Sequence, residues 1–244
     1  MSIQSKNLTA FVLAGGIGTR LQPVVNDRPK SLAEINGRPF LYYQLEYLRL
    51  SGISSVVLCT GYMADAIEQA IGTQHHDMPI RYSREDSPLG TGGAIRNALP
   101  RAESEPVLVI NGDTLVDTEL DVFIDQSAQR SAAAALLLLP VEDTSRFGSV
   151  KINGAGYITE FREKSESNAT NGWVNAGIYL LTRDFISSIP NDRPVSIERE
   201  VFPGQTGKGL YGFQAEGSFI DIGTPESYRL AEPFLKRLEQ PKDN

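Results

Sequence analysis

Short apolar runs alternate with stretches of helical periodicity along the first half of the chain. Apolar runs bounded by turn residues are typical of buried strands, and apolar positions three or four apart are typical of helices. The predicted strands span residues 9–13, 55–59, 80–82 and 107–110, and the predicted helices span residues 40–50, 64–71, 93–99 and 119–130. This β-α-β-α order predicts a mostly parallel sheet with helices on both faces.

The second half is richer in strand signals. Its predicted strands span residues 149–152, 157–161, 173–181, 210–213 and 218–220, and its predicted helices span residues 184–189, 196–201 and 227–238. Residues 132–139 leave two interpretations open, because alanine and leucine favour a helix whereas a short apolar run closed by Pro140 favours a buried strand. We predict a strand, and hence one α/β domain over residues 1–244 with antiparallel additions to the sheet.

The composition is that of a folded globular protein. The chain has 244 residues, 41% of them hydrophobic, and a formal net charge of −7. These values exclude wholesale disorder and argue against a general nucleic-acid binder, which needs a basic face. The single cysteine, Cys59, excludes a disulfide framework and is expected to be a buried thiol. The adjacent His75 and His76 are interpreted as a surface loop rather than a metal site.

Neither a secretory signal nor a membrane span is expected. Residues 1–9 lack the basic-then-apolar order of a signal peptide, and the longest apolar run, residues 132–139, is too short to cross a bilayer. The expected location is therefore the cytoplasm, with small molecules as partners rather than nucleic acid or a membrane. Assembly into a homo-oligomer is left open.

A glycine-rich turn follows the first predicted strand and reads AGGIGTR over residues 14–20. Glycines let backbone N–H groups approach an anion closely, which is typical of a phosphate cradle. Leu21 stands where a dinucleotide fingerprint needs a third small residue, and no Gly-Lys-Ser/Thr of a P-loop follows. The alternative is a plain tight turn, but the nearby Arg20 and Lys30 favour a polyphosphate site.

The pattern LAGGIGTRL over residues 13–21, followed by Pro29-Lys30, resembles the signature of the sugar-1-phosphate nucleotidyltransferases. The resemblance continues through the segments 89–94, 111–113, 163–164, 175–177 and 219–225. It implies a Rossmann-like nucleotidyltransferase fold, with a nucleotide-binding part over about residues 1–130 and a sugar-phosphate-binding part over about residues 131–244. It also implies a Mg²⁺-dependent reaction of an NTP with a sugar 1-phosphate, giving an NDP-sugar and pyrophosphate.

The resemblance implies a role for each candidate site residue. Arg20 and Lys30 are the catalytic candidates, because positioning and charge stabilisation drive this chemistry without a protein nucleophile. The nucleotide-binding candidates are Leu13, Ala14, Gly15, Gly16, Gly18, Thr19, Glu85, Gly90, Thr91 and Asp113. The sugar-phosphate-binding candidates are Gly112, Glu163, Lys164, Asn175 and Gly177. Asp113 and Asp221 are the metal candidates, although either one alone would also suit a cap or a turn.

Glu85 is the candidate for base selection. An ionised carboxylate accepts two hydrogen bonds and donates none, which matches the N1–H and 2-amino donors of guanine and favours GTP. The alternative, held equally open, is a solvated loop acid beside Arg84 and Asp86.

Within the family, the segments 24–30, 146–148 and 196–198 are most similar to the D-glycero-α-D-manno-heptose 1-phosphate guanylyltransferase branch. That branch implies a GDP-heptose product for a capsular or other surface polysaccharide. Ser31 and Ser165 replace prolines that are common in the family, but they remove no functional group. The alternatives are an enzyme for mannose 1-phosphate or another hexose 1-phosphate and a non-catalytic module that binds nucleotide sugars. A glycosyltransferase ranks last, because Asp113 and Asp117 lack the spacing of Asp-x-Asp.

Overall fold

The computed structural model describes residues 8–144, 149–162 and 171–238. The strands are β1 (Thr9–Leu13), β2 (Glu34–Ile35), β3 (Arg38–Pro39), β4 (Ser55–Thr60), β5 (Gln74–His75), β6 (Met78–Arg84), β7 (Val107–Asn111), β8 (Thr114–Asp117), β9 (Ala134–Val141), β10 (Ser149–Ile152), β11 (Ile158–Arg162), β12 (Gly172–Leu181), β13 (Leu210–Gln214) and β14 (Ser218–Asp221). The α-helices are α1 (Phe40–Leu50), α2 (Ala64–Ile71), α3 (Gly90–Ala98), α4 (Leu120–Gln129), α5 (Arg183–Ser188), α6 (Phe202–Gly204) and α7 (Pro225–Leu238). None of these helices is both long enough and apolar enough to cross a membrane.

Ten of the described strands form one mixed sheet with a parallel centre. Its order is β11-β10-β12-β7-β1-β4-β6-β5, with β9 also beside β12 and β13 beside β9. Strand β1 pairs in parallel with β4 on one side and with β7 on the other. Strand β12 runs antiparallel to both β7 and β9. The predicted α/β class with antiparallel additions is therefore confirmed.

Helices cover both faces of the sheet, as predicted. Alternate residues of β1 point to opposite faces, so Val12 packs in the apolar layer that contains α1, α2 and α4. Phe11 packs in the opposite layer with apolar residues of α3 and α5. Burial on both faces explains why the parallel strands read as continuous apolar runs in the sequence.

Several boundaries differ from the predicted ones by a few residues. The predicted strand over 132–139 is confirmed as β9, which continues through the exposed Pro140 at its end. Helix α3 begins at Gly90 rather than at residue 93, and α7 begins at Pro225 rather than at residue 227. The predicted helix over 196–201 is a π-helical segment, Ile197–Val201.

A two-stranded sheet that the sequence analysis missed lies beside the main one. Strands β8 and β14 pair antiparallel, with Asp221 opposite Thr114. Leu115 and Ile220 of this pair are buried in a third apolar cluster that also contains Phe234 of α7. The pairing brings the end of β14 next to the segment that follows β7, although more than a hundred residues separate them along the chain.

Candidate active site

A cavity of about 680 Å³ opens at the carboxyl ends of β1, β4 and β7. Strand order reverses here, because the chain continues from β1 to β4 on one side and reaches β7 on the other. Ligands of open α/β sheets bind in the crevice at such a switch point. The cavity is lined by Leu13, Ala14, Gly15, Gly16, Ile17, Gly18, Thr19, Lys30, Ser31, Cys59, Gly61, Tyr62, Glu85, Asp86, Ser87, Pro88, Gly90, Thr91, Ala94, Asn111, Gly112 and Asp113.

The glycine-rich turn forms one wall of this cavity. The N–H of Ala14 donates to the carbonyl of Cys59 (2.9 Å), and the carbonyl of Gly15 accepts from the N–H of Tyr62 (3.1 Å). No regular helix follows the turn among the described residues up to Pro29. The turn is therefore held by β4 and the loop after it.

Gly112 occupies the point where two strand ends approach most closely. Its N–H donates to the carbonyl of Leu13 (3.1 Å). A Cβ on Gly112 would overlap this carbonyl oxygen, so no larger residue fits without moving β1 or β7. Close approach of the backbone explains the glycine in the segment 111–113, and it brings Asp113 to the cavity.

Two cations and two carboxylates converge at the rim of the cavity. The Lys30 ammonium forms an ion pair with Asp113. A Cβ placed on Gly223 would lie 2.7 Å from Asp221 Oδ1, 3.3 Å from Arg20 Nη2 and 3.8 Å from Asp113 Oδ2. The structure thus brings together the predicted catalytic and metal candidates, which come from four separate segments.

The backbone and neighbouring hydroxyls hold the Asp221 carboxylate in place. Its Oδ1 accepts from the N–H of Gly223 (2.8 Å) and lies 3.4 Å from the Ser227 hydroxyl. The N–H of Ile222 donates to the carbonyl of Asp113 (2.9 Å), which ties the two acidic segments together. Asp221 therefore reaches the site through the β8–β14 pairing, a contact that no local sequence pattern predicts.

Glu85 lies half-buried in the cavity wall. Its Oε2 accepts from the N–H of Leu89 (2.8 Å), and its own N–H donates to the carbonyl of Thr60 (2.8 Å). Burial raises the pKa of the Glu85 carboxyl, and the Leu89 hydrogen bond opposes that shift. The interpretation as a freely solvated loop acid is therefore wrong, because a desolvated carboxylate faces the cavity.

Gly90 and Thr91 lie at the first turn of α3, next to the cavity. The predicted sugar-binding turn lies in β12, where Asn175 Oδ1 accepts from the N–H of Gly177 (2.9 Å). A Cβ placed on Gly177 would lie 2.7 Å from Nδ2 of Asn111, and Asn111 also lines the cavity. Glu163 and Lys164, together with the segment 146–148 and Ser165, lie outside the described residues.

Two buried or half-buried residues near the cavity were not given a role by the sequence analysis. In the sequence, Tyr179 is one of the apolar positions of a predicted strand, and none of the adjacent residues indicates a function for its hydroxyl. Glu198 belongs to the segment 196–198, which was noted only as a likeness to one branch of the family. Both residues contact site residues through side-chain hydrogen bonds that the fold creates.

Cys59 is buried, as predicted. Burial raises the pKa of the Cys59 thiol, which keeps it protonated and unreactive. The interpretation of both histidines as a surface loop is wrong for His75, which is only 8% exposed and lies in β5. His76, the first residue of the turn between β5 and β6, is exposed as expected.

The group Glu46, His75 and His76 is the one set of three His, Cys, Asp or Glu side chains among the described residues that could hold a metal ion. Glu46 Oε2 lies 3.1 Å from His75 Nε2, but both carboxylate oxygens also accept from Arg49. The Arg49 guanidinium lowers the pKa of Glu46 to about 2. Both oxygens of the Glu46 carboxylate are thus already paired with Arg49. Hydrogen bonds among the side chains are enough to explain why Glu46, His75 and His76 lie together.

A glycine-rich turn, two cations and two carboxylates at the switch point of a parallel sheet are typical of phosphate-binding proteins of the Rossmann-like α/β class. Within that class, the family described as "Nucleotidyl transferase" matches residues 9–237. The chain belongs to this family, which confirms the resemblance that the glycine-rich turn and the later motifs indicated.

Individual relatives support the same assignment. A D-glycero-alpha-D-manno-heptose 1-phosphate guanylyltransferase of Aneurinibacillus thermoaerophilus is 36% identical over 230 residues, which cover 94% of this chain and 99% of that protein. A mannose-1-phosphate guanylyltransferase of Mycobacterium tuberculosis is 36% identical over 223 residues, which cover 90% of this chain and 62% of that protein. The crystal structure of HddC from Yersinia pseudotuberculosis complexed with GMP-PN is similar at a TM-score of 0.82 and 35% identity, covering 93% of this chain and 99% of that one.

Proposed function

We propose that this protein transfers a guanylyl group from GTP to D-glycero-α-D-manno-heptose 1-phosphate, giving GDP-heptose and pyrophosphate. The convergence of Arg20, Lys30, Asp113 and Asp221 beside a glycine-walled cavity carries this proposal. The heptose 1-phosphate guanylyltransferase of Aneurinibacillus thermoaerophilus supports the choice of sugar and base, because this chain spans 99% of its length.

In the proposed reaction, an oxygen of the sugar phosphate attacks the α-phosphorus of GTP. The bond from the α-phosphorus to the bridging oxygen breaks, and its electron pair leaves with pyrophosphate. Both reactants are anions, so positive charge has to reduce their repulsion. Lys30 would contact the phosphates at the transfer centre, and Arg20 would stabilise the charge that gathers on the leaving pyrophosphate.

Asp113 and Asp221 fit a magnesium ion. Their carboxylate oxygens face a common point beside Gly223, and Mg²⁺ takes one or two carboxylates while keeping waters and phosphate oxygens as its other ligands. When bound, the ion would supply positive charge to the phosphate oxygens of the substrates. Without it, the Lys30 ammonium neutralises Asp113, which keeps both charges close to the cavity.

The base would be read at Glu85. The carboxylate is held by the Leu89 N–H on one oxygen, and it faces the cavity between the glycine-rich turn and α3. A guanine N1–H and 2-amino group provide two donors for such an acceptor-only group, whereas adenine presents one donor and one acceptor on the corresponding edge.

Mannose 1-phosphate is the second candidate substrate. The mannose-1-phosphate guanylyltransferase of Mycobacterium tuberculosis is as identical to this chain as the heptose enzyme, at 36%. This chain spans only 62% of that protein, which favours the heptose sugar.

Release of pyrophosphate should be measured for each of five nucleoside triphosphates against heptose, mannose and glucose 1-phosphates, with Mg²⁺ and with EDTA. We expect the highest kcat/KM with GTP and the heptose 1-phosphate, and no turnover in EDTA. Faster turnover of mannose 1-phosphate would reassign the sugar. Pyrophosphate release with none of the pairs would overturn the enzymatic proposal in favour of a module that only binds nucleotide sugars.

A further inference from the structure

The carboxylate of Glu198, which lies outside the cavity, accepts hydrogen bonds from three hydroxyl groups in three parts of the fold. Glu198 lies in the π-helical segment Ile197–Val201 and is half-buried. Its Oε2 accepts from the hydroxyls of Thr91 (2.6 Å) and Ser196 (3.1 Å), and its Oε1 accepts from the hydroxyl of Tyr179 (3.4 Å). Glu198 is absent from the residues that line the cavity, so any effect of Glu198 on a bound substrate has to pass through these partners.

The first partner connects Glu198 to the nucleotide side of the cavity. Thr91 lines the cavity at the start of α3, and its hydroxyl also accepts from the N–H of Ile197 (2.9 Å). Just before this segment, the carbonyl of Val195 accepts from the N–H of Gly92 (2.8 Å), and its N–H donates to the carbonyl of Leu89 (2.8 Å). The segment 195–198 therefore holds the loop that starts α3.

The second partner connects Glu198 to the predicted sugar-binding turn. Tyr179 is fully buried, and its hydroxyl oxygen accepts from Asn175 Nδ2 (3.0 Å). Asn175 Oδ1 in turn accepts from the N–H of Gly177, so this hydroxyl joins Glu198 to the residues of that turn.

The direction of every hydrogen bond in this network follows from chemistry. Burial holds the pKa of Tyr179 well above its usual value, so its hydroxyl keeps its hydrogen. The Tyr179 oxygen accepts from Asn175, and its hydrogen goes to Glu198. An ionised carboxylate accepts on both oxygens, which matches donors on both of its sides.

A glutamine at position 198 cannot reproduce this arrangement. If its amide oxygen faces Thr91 and Ser196, its NH₂ group cannot accept the hydrogen of the fully buried Tyr179 hydroxyl. If the amide is turned, the NH₂ group meets the two half-buried hydroxyls that donate to Glu198 in the wild type. Either orientation leaves at least one hydroxyl hydrogen without its acceptor, although the side chain keeps its size.

We propose that Glu198 is a positioning residue that couples the nucleotide and sugar-phosphate sites, so that each substrate strengthens binding of the other. The proposal rests on the proposed function for the existence of two substrates. Occupation of the cavity orders Thr91, and the same carboxylate orders Tyr179 and, through it, Asn175. By linkage, the coupling has to be the same in both directions.

The test is a comparison of Glu198→Gln with Glu200→Gln. Glu200 lies in the same π-helical segment, is exposed, and accepts from Arg193 (2.7 Å) and the N–H of Ser196 (2.9 Å) without touching Thr91 or Tyr179. The binding probe is GTP with a methylene group between its α- and β-phosphates, which cannot be cleaved there. Its Kd is measured by calorimetry with and without the sugar 1-phosphate that the wild type turns over fastest.

In the wild type and in Glu200→Gln, we expect the sugar phosphate to lower the Kd of the probe by about 5-fold or more. In Glu198→Gln, we expect this ratio to fall to about 1, and the KM values for both substrates to rise by about 10-fold. Retained coupling in Glu198→Gln, or no coupling in the wild type, would overturn the proposal. Pyrophosphate release by the wild type is measured first and separately. A failure of the proposed function is therefore distinguished from a failure of the coupling proposal.

Tyr179→Phe provides a second variant if Glu198→Gln does not fold. It removes one hydroxyl and keeps the ring in its packed position against Phe202. We expect the same loss of coupling, with nucleotide binding in the absence of sugar phosphate close to that of the wild type. If coupling survives in Tyr179→Phe, then the two sites are not coupled through the Tyr179 hydroxyl of β12.

Discussion

The two halves of the chain contribute to the cavity in different ways. Every described residue that lines the cavity lies between Leu13 and Asp113. The second half contributes Asp221 and Gly223 at the rim, and it supports the cavity from outside through Val195, Tyr179 and Glu198. The first half therefore forms the binding surface, whereas the second half positions it.

The difference follows from the direction of the strands. Parallel strands end at one edge of a sheet, so the loops after β1, β4 and β7 necessarily meet there. Strand β12, which joins the second half to β7, runs antiparallel to it, so the carboxyl end of β12 lies at the opposite edge of the sheet. Residues of the second half reach the site only through particular tertiary contacts.

The largest expected effect tests whether the second half takes part in the chemistry. We expect Asp113→Asn and Asp221→Asn, one from each half, to lower kcat by about 100-fold or more, because each removes one of the two carboxylates proposed to hold the metal ion. Steady-state pyrophosphate release measures the effect, and circular dichroism checks the fold.

Asp65→Asn is the matched control, since Asp65 is an exposed acid on α2 that pairs with Arg84. Near-normal turnover in Asp221→Asn would mean that Asp221, which the second half places at the rim of the cavity, has no chemical role. Near-normal turnover in both variants would remove the metal assignment.

An intermediate effect is expected where the second half supports the loop before α3. Gly90 has a φ of +72°, and a Cβ there would lie 2.5 Å from the carbonyl oxygen of Val195. We expect Gly90→Ala to lower the free energy of unfolding by about 1–2 kcal/mol or more through left-handed strain, and to raise the KM for GTP by about 10-fold through displacement of Thr91. Chemical denaturation and steady-state kinetics measure the two effects.

Gly154→Ala serves as its control, because a Cβ there would meet open space and its φ is not positive. A KM for GTP unchanged in Gly90→Ala would show that the contact with Val195 does not position the nucleotide loop.

The smallest expected effect lies wholly within the first half. Glu85→Gln should reduce the preference for GTP over ATP by several-fold, since the amide offers one acceptor in place of two. Burial raises the pKa of Glu85, so this carboxylate gains its proton at a higher pH than an ordinary glutamate. The KM for GTP should therefore rise as the pH falls through that raised pKa, and the pH profile of Glu85→Gln should lack this rise.

Competition kinetics with GTP and ATP between pH 5 and 8 would measure both effects. An unaltered preference in the variant would move base selection away from Glu85 and towards the backbone of the loop before α3.

Most helices and strands of the first half are predicted correctly from the sequence, because the patterns that indicate them are local. Helices α1 and α2 have the predicted bounds, and β1 is also as predicted. The strand β8 was missed because Thr114–Asp117 is too short and too close to β7 to show its own pattern. Its pairing with β14 depends on a contact between distant segments, and that contact is what brings Asp221 to the rim.

The amino-acid pattern alone determined the α/β class, the family, the cavity-lining glycines except Gly61 and the identity of the charged candidates, because strand and turn signals and the glycine-rich motif are local properties of the chain. Only the tertiary structure decided that Arg20, Lys30, Asp113 and Asp221 meet at one rim, and that Glu198 joins Thr91 to Tyr179. Such meetings depend on strand order and on side-chain hydrogen bonds between segments far apart in sequence, and no local periodicity records them.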